Sequence, residues 1–356
     1  MTAPLGDVVR QLGEWLRGSG PQSDVVISTR IRLARNLRGF PFLSRASVEQ
    51  RAELVQTLAT ASRRAGDLAK LIHVDVEKLD ELDRQLLVER HIISRQHAEA
   101  NGARAVAFDR EESVSLMMNE EDHLRMQVIR SGLQLEEAWE LISRVDDSID
   151  QQVEYAYHAQ FGYLTACPTN VGTGLRVSVM LHLPALRLTG ELEKVAHAAR
   201  EMKLAVRGLF GEGTEALGDF FQISNQITLG RGELDLIDDF RKDVIPKIIE
   251  YELAARRSLI KSRQQAVDDK IWRALGTLRN ARLMSSNEAM QCLSYVRLGL
   301  HTGRLSAIDL HTVNELFLQS QQAHLQKLQG ERLTGEQRSV VRAALFRSRL
   351  GHINQN

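Results

Sequence analysis

The chain has 356 residues, of which 43% are hydrophobic and 26% charged, which is the composition of a globular protein long enough for two domains. The 46 basic residues balance the 46 acidic ones, and this zero net charge argues against a protein that collects nucleic acid or anionic membrane through a global field. Two cysteines, Cys167 and Cys292, cannot form a disulfide scaffold. Because the chain shows neither a signal peptide nor an apolar run of membrane-spanning length, we expect a cytoplasmic protein without membrane or nucleic-acid partners.

Two kinds of periodicity alternate in the first part of the chain, up to about residue 250. Short runs of β-forming residues predict strands at 25–27, 105–108, 114–118, 163–166, 175–183 and 220–223. Helical periodicity predicts helices at 47–65, 122–129, 135–156, 191–200 and 233–259, the last of them kinked or divided at Pro246. Because this order is not a regular βαβ alternation, we expect an α+β fold in which helices cover a sheet.

The last part of the chain contains no proline after Pro246. Three helix-start signatures follow, each a serine or threonine three residues before a glutamate or glutamine: Ser285 with Glu288, Thr312 with Glu315, and Thr334 with Gln337. Gly303 and Gly330 stand where the first two of these helices should end. We therefore predict an all-helical domain at residues 256–356, after an α+β domain at residues 1–255.

Two arginines alternate in the segment Ser28-Thr29-Arg30-Ile31-Arg32. The period of two in a strand puts Arg30 and Arg32 on one face. Like charges there repel each other unless an anion lies between them, and arginine binds phosphate bidentately. Salt bridges to neighbouring acids are the alternative, and this segment alone leaves the choice open.

A run of acids, Glu120-Glu121-Asp122, directly precedes the helix predicted at 122–129. In the structural interpretation, Asn119 caps that helix and the acids complement its positive end. In the functional interpretation, Glu121 is a base or an orienting group at the edge of the sheet. Arg125 would then lie one helical turn further along.

A lone thiol stands before a glycine turn at 172–174. Cys167 is either a small buried hydrophobe or a reactive thiol near positive charge. The amides of the turn could approach a phosphate, and Arg176 follows where the next strand begins. A second segment, 207–213, carries three glycines after an apolar strand, which is typical of a plain surface loop or of a loop that closes over substrate.

The usual nucleotide and metal motifs do not occur in the sequence. It contains no G-x-x-x-x-G-K-[ST], no protein-kinase H-R-D or D-F-G, no H-E-x-x-H and no cysteine–histidine cluster with zinc-like spacing. ATP, if the protein binds it, is bound by other groups.

Taken together, the four segments resemble the phosphagen (guanidino) kinase family in order, spacing and identity, over most of residues 23–255. Ser224-Asn225 with Leu229-Gly230 resembles a strand end of the same family. The resemblance implies a phosphagen-kinase-like catalytic domain built on a mainly antiparallel sheet flanked by helices. It also implies ATP and Mg²⁺ as cofactors, with the ion held by phosphates and water and by no protein ligand.

The resemblance also implies roles for individual residues. Glu121 matches the carboxylate that contacts the acceptor guanidinium, Glu212 a second carboxylate, and Cys167 the active-site cysteine. The residues that it places at ATP are Ser28, Thr29, Arg30, Ile31, Arg32, His91, Arg125, Arg176, Val177, Ser178, Val179, Met180, Arg207, Gly208, Leu209, Phe210, Gly211 and Glu212. Two carboxylates suit this chemistry, since they can bind the N–H groups of a guanidinium and accept its proton.

The layout of the chain resembles one branch of that family, the bacterial protein-arginine kinases. Family members that act on free arginine or creatine carry a helical domain before the catalytic one, whereas only 27 residues precede Ser28 here, so we expect an open acceptor site. The branch phosphorylates arginine side chains in proteins and marks them for a Clp-type protease in protein quality control and the stress response. The partners implied are protein substrates with exposed arginines, a Clp-type ATPase, an activator protein and a second copy bound through the C-terminal domain.

In that branch the C-terminal domain carries an Arg-Asp-x-x-Arg-Ala pocket that senses phosphoarginine. Arg338, Ser339, Arg342 and Ala343 occupy the corresponding positions, so that serine replaces the acid. Arg338 and Arg342 lie four apart on one helix face and either bind a phosphate or form an ordinary solvated surface. Two other functions stay open: a kinase for free arginine or another small guanidino compound, and an inactive adaptor that binds phosphoarginine.

Overall fold

An eight-stranded sheet lies at the centre of the first part of the chain, and its strand order is β2-β3-β4-β5-β1-β8-β10-β9. The structure is a computed structural model that describes residues 6, 8–208 and 217–351. All seven neighbouring pairs in the sheet are antiparallel. The strands of the sheet are β1 (Val26–Arg35), β2 (Ile72–Asp75), β3 (Ala105–Phe108), β4 (Val114–Met118), β5 (Leu124–Ser131), β8 (Leu175–His182), β9 (Leu204–Arg207) and β10 (Phe220–Asn225); β6 (Tyr157–His158) and β7 (Gly162–Tyr163) form a separate hairpin.

Helices flank the sheet, and this arrangement confirms the predicted α+β class. They are α1 (Val48–Arg64), α2 (Glu81–Glu89), α3 (Arg95–Glu99), α4 (Leu135–Asp150), α5 (Pro184–Thr189), α6 (Leu192–Glu201) and α7 (Glu233–Asp238). Helix α1 begins at a capping box, in which the Ser47 side chain accepts from the Gln50 N–H and the Gln50 side chain accepts from the Ser47 N–H. None of the described helices combines the length and apolar character needed to cross a bilayer.

The helix predicted at 122–129 is wrong, because residues Leu124–Ser131 form strand β5. This strand pairs with β1 on one side and β4 on the other, and most of its residues are buried. A strand covered on both faces shows no clean alternation of polar and apolar residues, so its sequence pattern can resemble that of a helix. Asn119 does not cap a helix; it lies at φ +61° in the tight β4–β5 turn, where its N–H donates to the His123 carbonyl at 2.8 Å.

Pro246 divides the last helical pattern of the first region, as predicted. Helix α7 ends at Asp238, a π-helical turn covers Asp239–Val244, and α8 (Ile245–Asn280) begins at the residue before the proline. A proline in the first turn of a helix loses no hydrogen bond, because that N–H has no partner within the helix. Helix α8 runs across the predicted boundary at residues 255/256 and departs from helical geometry at Arg263 (φ −140°, ψ 35°). The position of the boundary stays a prediction.

The rest of the described chain is helical. It consists of α9 (Ser286–His301), α10 (Leu310–Gln319), α11 (Gln322–Gln329) and α12 (Gly335–Leu350). Ser285 and Thr334 cap α9 and α12, as predicted. The start predicted at Thr312 is wrong: Asp309 is the cap, and its carboxylate accepts the Thr312 N–H at 2.6 Å.

The C-terminal helices and the sheet share one continuous cluster of buried apolar side chains. Phe317 of α10 packs edge-on against Phe220 of β10, with ring centroids 4.9 Å apart. Polar contacts join the same two regions, since the Asn314 amide donates to the Leu16 carbonyl at 2.7 Å and Arg297 donates to the Ser23 carbonyl at 2.8 Å. The helices therefore form part of the support beneath the sheet.

Candidate active site

An arginine cluster lies on one face of the central strands. Arg30 and Arg32 alternate along β1, and Arg32 is the direct cross-strand partner of Arg176 in β8. Arg30 donates to the Gln222 side-chain oxygen at 2.6 Å, and Arg176 donates to the Ser224 hydroxyl at 3.1 Å. Neutral side chains thus help to orient two of the guanidinium groups.

This crowding is unfavourable unless an anion is bound. Burial, together with the charges of Arg176, Arg125 and Arg207, lowers the pKa of Arg30 to about 10. Burial and the charges of Arg30, Arg176 and Arg125 also lower the pKa of Arg32 well below its usual value. Both groups remain cations near neutral pH. A polyphosphate would relieve the repulsion and use the bidentate geometry of arginine.

The β4–β5 turn brings two carboxylates to this cluster. Arg125 contacts Glu120 at 2.7 Å and Glu121 at 3.0 Å. Glu120 is buried and also accepts from the Ser94 hydroxyl at 2.6 Å and the Glu121 N–H at 2.7 Å. Burial would raise the pKa of Glu120, but Arg125, Ser94 and the Glu121 N–H together hold it below its usual range. Glu120 is therefore a fixed anion that orders its neighbours.

Glu121 is the more accessible of the two, with 33% of its side chain exposed. Partial burial, with Asp122 and Glu120 nearby, raises its pKa, and the Arg125 guanidinium opposes that shift. A carboxylate with a raised pKa is a better proton acceptor in its ionised form. Its place beside the arginine cluster suits a group that binds and deprotonates an acceptor.

Cys167 lines the same cavity, and hydrogen bonds hold the backbone that precedes it. Asp122 accepts from the Asn36 side chain and from the Ala166 N–H, both at 2.7 Å. This fixes the backbone directly before Cys167 against the β4–β5 turn. The Cys167 sulfur lies 3.1 Å from the Thr169 hydroxyl oxygen.

The glycine turn at 172–174 is fixed by close backbone contacts. A Cβ on Gly174 would lie 2.6 Å from the Ala34 carbonyl oxygen, and its φ is +65°. The Arg35 guanidinium donates to the Thr173 carbonyl at 2.8 Å and pairs with Asp146 at 2.6 Å. Only glycine fits such an approach, and the buried ion pair holds the turn at the mouth of the cavity.

These elements enclose a cavity of about 640 Å³. The structure brings the following predicted residues to its wall: Arg30, Arg32, His91, Glu121, Arg125, Cys167, Arg176 and Arg207. Other predicted nucleotide residues belong to the same strands or their ends but do not line it: Ser28, Thr29, Ile31, Val177, Ser178, Val179, Met180 and Gly208. Glu212, with Leu209, Phe210 and Gly211, lies outside the described residues. The roles of all these residues stay predictions.

Several residues of the cavity wall were missed by the sequence analysis. They are Gln222, Gln226, Glu120, Ser94, Arg95 and Gln96. Of these residues, only Gln222 gives a usable sequence signal, because a polar residue within the apolar strand pattern 220–223 indicates a functional position. Ser94, Arg95 and Gln96 follow His91 in sequence, but only the tertiary fold brings them to the arginines.

A magnesium site made of protein ligands is not found in the described part of the chain, which contains no group of three or more His, Cys, Asp or Glu residues arranged to hold a metal. The two carboxylates of the cavity, Glu120 and Glu121, both contact Arg125. Magnesium prefers several oxygen ligands and often keeps its water. The residues present thus do not form a preassembled cage for this ion.

The predicted phosphoarginine residues lie on α12. Arg342 is buried and donates to the carbonyls of Ser320 at 2.8 Å and Met284 at 3.0 Å. Arg338 donates to the Leu333 carbonyl at 2.8 Å, and Ser339 is half-buried, with its hydroxyl donating to the Gly335 carbonyl at 3.1 Å. Burial and the charge of Arg338 lower the pKa of Arg342, so the two cations lie close to each other. Their role as a sensor stays a prediction.

Comparisons with known proteins agree with the fold. A family model described as "ATP:guanido phosphotransferase, C-terminal catalytic domain" matches residues 53–255. A second, "Protein-arginine kinase McsB C-terminal domain", matches residues 264–356. The protein-arginine kinase of Halothermothrix orenii is 44% identical, with 97% of this chain and 99% of that protein covered. The protein-arginine kinase of Symbiobacterium thermophilum is 46% identical, with 96% and 98% covered.

Solved structures show the same catalytic fold. A lombricine kinase is 28% identical, with a TM-score of 0.58 and 71% of each chain covered. The duplicated taurocyamine kinase of Schistosoma mansoni, solved with bound transition state analog components, is 26% identical with a TM-score of 0.60. The match covers 66% of this chain and 34% of that duplicated protein.

The family models and these relatives, together with the antiparallel sheet, define a phosphotransferase with a guanidino acceptor. Within that class, the two family models together cover most of the chain. The chain belongs to the protein-arginine kinase family.

Proposed function

We propose that this protein transfers the γ-phosphoryl group of ATP to arginine side chains of proteins. The observation that carries the proposal is one cavity in which Arg30, Arg32, Arg125 and Arg176 lie beside Glu121. Arginines suit the phosphates, and the carboxylate suits the acceptor. The relatives at 44% and 46% identity are protein-arginine kinases, which supports a protein acceptor over a small one.

The reaction requires one bond to form and one to break. A guanidinium nitrogen of the substrate arginine attacks the γ-phosphorus, the bond to the β,γ-bridging oxygen breaks, and ADP leaves. Glu121 binds the N–H groups of the acceptor and accepts the proton that the nitrogen loses. The arginine cluster stabilises the charge on the transferring phosphoryl group and keeps the groups in line.

The other predicted groups have supporting roles. Cys167 orients the acceptor from the opposite wall, and Glu212 supplies a second carboxylate. Magnesium, carried by the phosphates and water, would supply charge neutralisation when bound. Gln222 and Glu120 hold Arg30 and Arg125 in place before the nucleotide arrives.

The wider biology is part of the same proposal. The protein acts in the cytoplasm as a homodimer joined through its C-terminal helices, works with an activator protein, and marks substrates for a Clp-type ATPase. Arg338, Ser339, Arg342 and Ala343 would read phosphoarginine, with the hydroxyl of Ser339 in place of a carboxylate.

A paired assay with Mg-ATP tests the central claim. One arm offers free L-arginine and the other an unfolded protein that carries arginine, and Glu121→Gln serves as the control in both. The product is analysed by mass spectrometry at neutral pH, since the P–N bond is acid-labile. Phosphate on protein arginine, lost in Glu121→Gln, is the expected result. Phosphate on free arginine alone would replace the proposal with a metabolic guanidino kinase.

A further inference from the structure

Helix α11 of the C-terminal region is capped by a side chain of the catalytic region. Glu89, the last residue of α2, accepts the backbone N–H groups of Ala323 at 2.8 Å and His324 at 3.1 Å. The residue at the helix N-cap, Gln321, makes no capping bond with its own side chain. Glu89 therefore supplies the negative charge that the first turn of α11 needs.

His324 extends this cap into a buried chain of hydrogen bonds. Its Nδ1 lies 2.8 Å from a Glu89 carboxylate oxygen, and its Nε2 lies 3.2 Å from Nη1 of Arg90. Arg90 also forms an ion pair with Glu112 at 2.5 Å and donates to the Gln11 carbonyl at 2.8 Å. Because burial lowers the pKa of His324, the ring is neutral, donates from Nδ1 to Glu89 and accepts at Nε2 from Arg90.

The residue after Arg90 is His91, which lines the nucleotide cavity. Its φ of +59° is left-handed, a conformation that costs a non-glycine residue about 1 kcal/mol or more. Such a backbone persists only where its surroundings hold it. The His91 carbonyl accepts from Gln127 at 2.7 Å, and the preceding residues Glu89 and Arg90 are fixed by the contacts with α11.

A second support reaches the His91 ring directly. Trp15, which is 2% exposed, packs edge-on against His91 with ring centroids 4.4 Å apart. On its other side Trp15 meets Phe317 of α10, at 6.1 Å between centroids. The C-terminal helices thus hold His91 from two directions, through Glu89 and through Trp15.

We propose that Glu89 and Trp15 are positioning residues for the nucleotide pocket, which set the conformation of His91 through their contacts with α11 and α10. The C-terminal helices thereby complete one wall of the catalytic site. The proposal rests on the proposed function, because it takes this cavity as the ATP site. It concerns nucleotide affinity and leaves the chemistry of the acceptor carboxylate unchanged.

The chain offers a matched control. Asp83 and Lys327 form a second buried ion pair between α2 and α11, at 2.6 Å. It joins the same two helices but lies eight positions before His91, near the start of α2. Asp83→Asn therefore weakens the same interface without releasing the end of α2.

The experiment compares full-length Glu89→Gln with Asp83→Asn by steady-state kinetics and thermal unfolding. We expect both to lower the unfolding temperature, and only Glu89→Gln to raise the KM for ATP, by about tenfold, with kcat within about twofold of wild type. Equal KM values in the two variants would reduce Glu89 to an interface residue and overturn the proposal.

A second pair of variants covers the case in which Glu89→Gln does not fold. His324→Asn keeps a donor at the place of Nδ1 for Glu89, whereas His324→Gln keeps an acceptor at the place of Nε2 for Arg90. We expect the KM for ATP to stay near wild type in His324→Asn and to rise in His324→Gln. The opposite order would contradict the role of Glu89.

Trp15 fluorescence separates this proposal from the proposed function. In a Trp139→Phe, Trp272→Phe background, Trp15 is the single tryptophan and reports on His91. If the change in emission needs about tenfold more ATP in Glu89→Gln, the positioning role is supported. This holds even if no arginine becomes phosphorylated. Emission that does not respond to ATP, in a protein that phosphorylates arginine, rejects it.

Discussion

Arg32 and Arg176 lie directly opposite each other on adjacent antiparallel strands, and both line the same cavity. Like charges in this position destabilise a sheet by up to about 1 kcal/mol. The pair therefore lowers the free energy of unfolding of the nucleotide-free protein, and this cost can be measured.

Replacing Arg32 by glutamine should stabilise the nucleotide-free protein by about 0.5 kcal/mol, because the repulsion with Arg176 is removed. ATP affinity should fall at least tenfold, since a phosphate contact is lost. Near-saturating ATP should then reverse the order of stability, because wild type gains more from binding. Urea unfolding with and without nucleotide measures this. Arg130→Gln, on the opposite face of neighbouring β5, is the control; a nucleotide-free Arg32→Gln protein less stable than that control would contradict the argument.

Glu121 should give the acid limb of the pH–rate profile. Its pKa in the free protein is raised by burial, and a base works only when ionised, so kcat/KM is full above that pKa and is lost as the pH falls through it. The limb should therefore lie above the usual glutamate value of about 4.3. At pH values above the limb, Glu121→Gln should lose about 10²-fold or more in kcat, while the KM for ATP changes little. A Gln variant that keeps a tenth of the wild-type rate would exclude Glu121 as the base.

The two cysteines should differ in reactivity. Cys167 lies at the cavity wall, half-exposed. Burial and the charge of Glu288 raise the pKa of Cys292 to about 11, so that its thiol stays protonated near neutral pH. Iodoacetamide should label Cys167 and spare Cys292, and Mg-ATP with an arginine substrate should slow the labelling. Peptide mass mapping measures both; equal labelling of the two thiols would contradict it.

Asp146 should matter far more to stability than an ordinary surface acid. Asp146→Asn removes the close counter-charge of the buried Arg35 guanidinium and leaves only the carboxylate of Glu233 at 4.0 Å, which costs about 3–5 kcal/mol. Glu154→Gln, which removes the partner of exposed Arg38, should cost less than about 1 kcal/mol. Denaturant unfolding compares the two. A similar loss in both variants would mean that Arg35 is compensated by other groups.

The residues of the site were easier to predict from the sequence than the contacts among them. The arginine of β8 and Glu121 before β5 belong to local segments, and the resemblance of those segments to the phosphagen kinase family groups them. Contacts such as Arg30 with Gln222, 192 positions apart, depend on strand order, which no local pattern contains. The same holds for Ser94, which reaches Glu120 only after the sheet has formed.

Errors in secondary structure arose where local signals were ambiguous. Residues Leu124–Ser131 lie in a central strand, and burial on both faces removed the alternation that identifies a strand. Near α10, both Asp309 and Thr312 can cap a helix. The Asp309 carboxylate is the cap that forms, and it accepts the N–H of Thr312. Signals without a competitor, such as the capping box at Thr334, were read correctly.

The contacts of Trp15 and Glu89 with α10 and α11 bear on how the protein is made. A ribosome releases residue 15 long before residue 317, and residue 89 long before residue 324. The nascent chain therefore lacks these contacts until residues 317 and 324 have been translated. Domains that emerge first usually fold first. Under the positioning role that we propose for Trp15 and Glu89, the nucleotide pocket is therefore completed only after residue 324 has been synthesised.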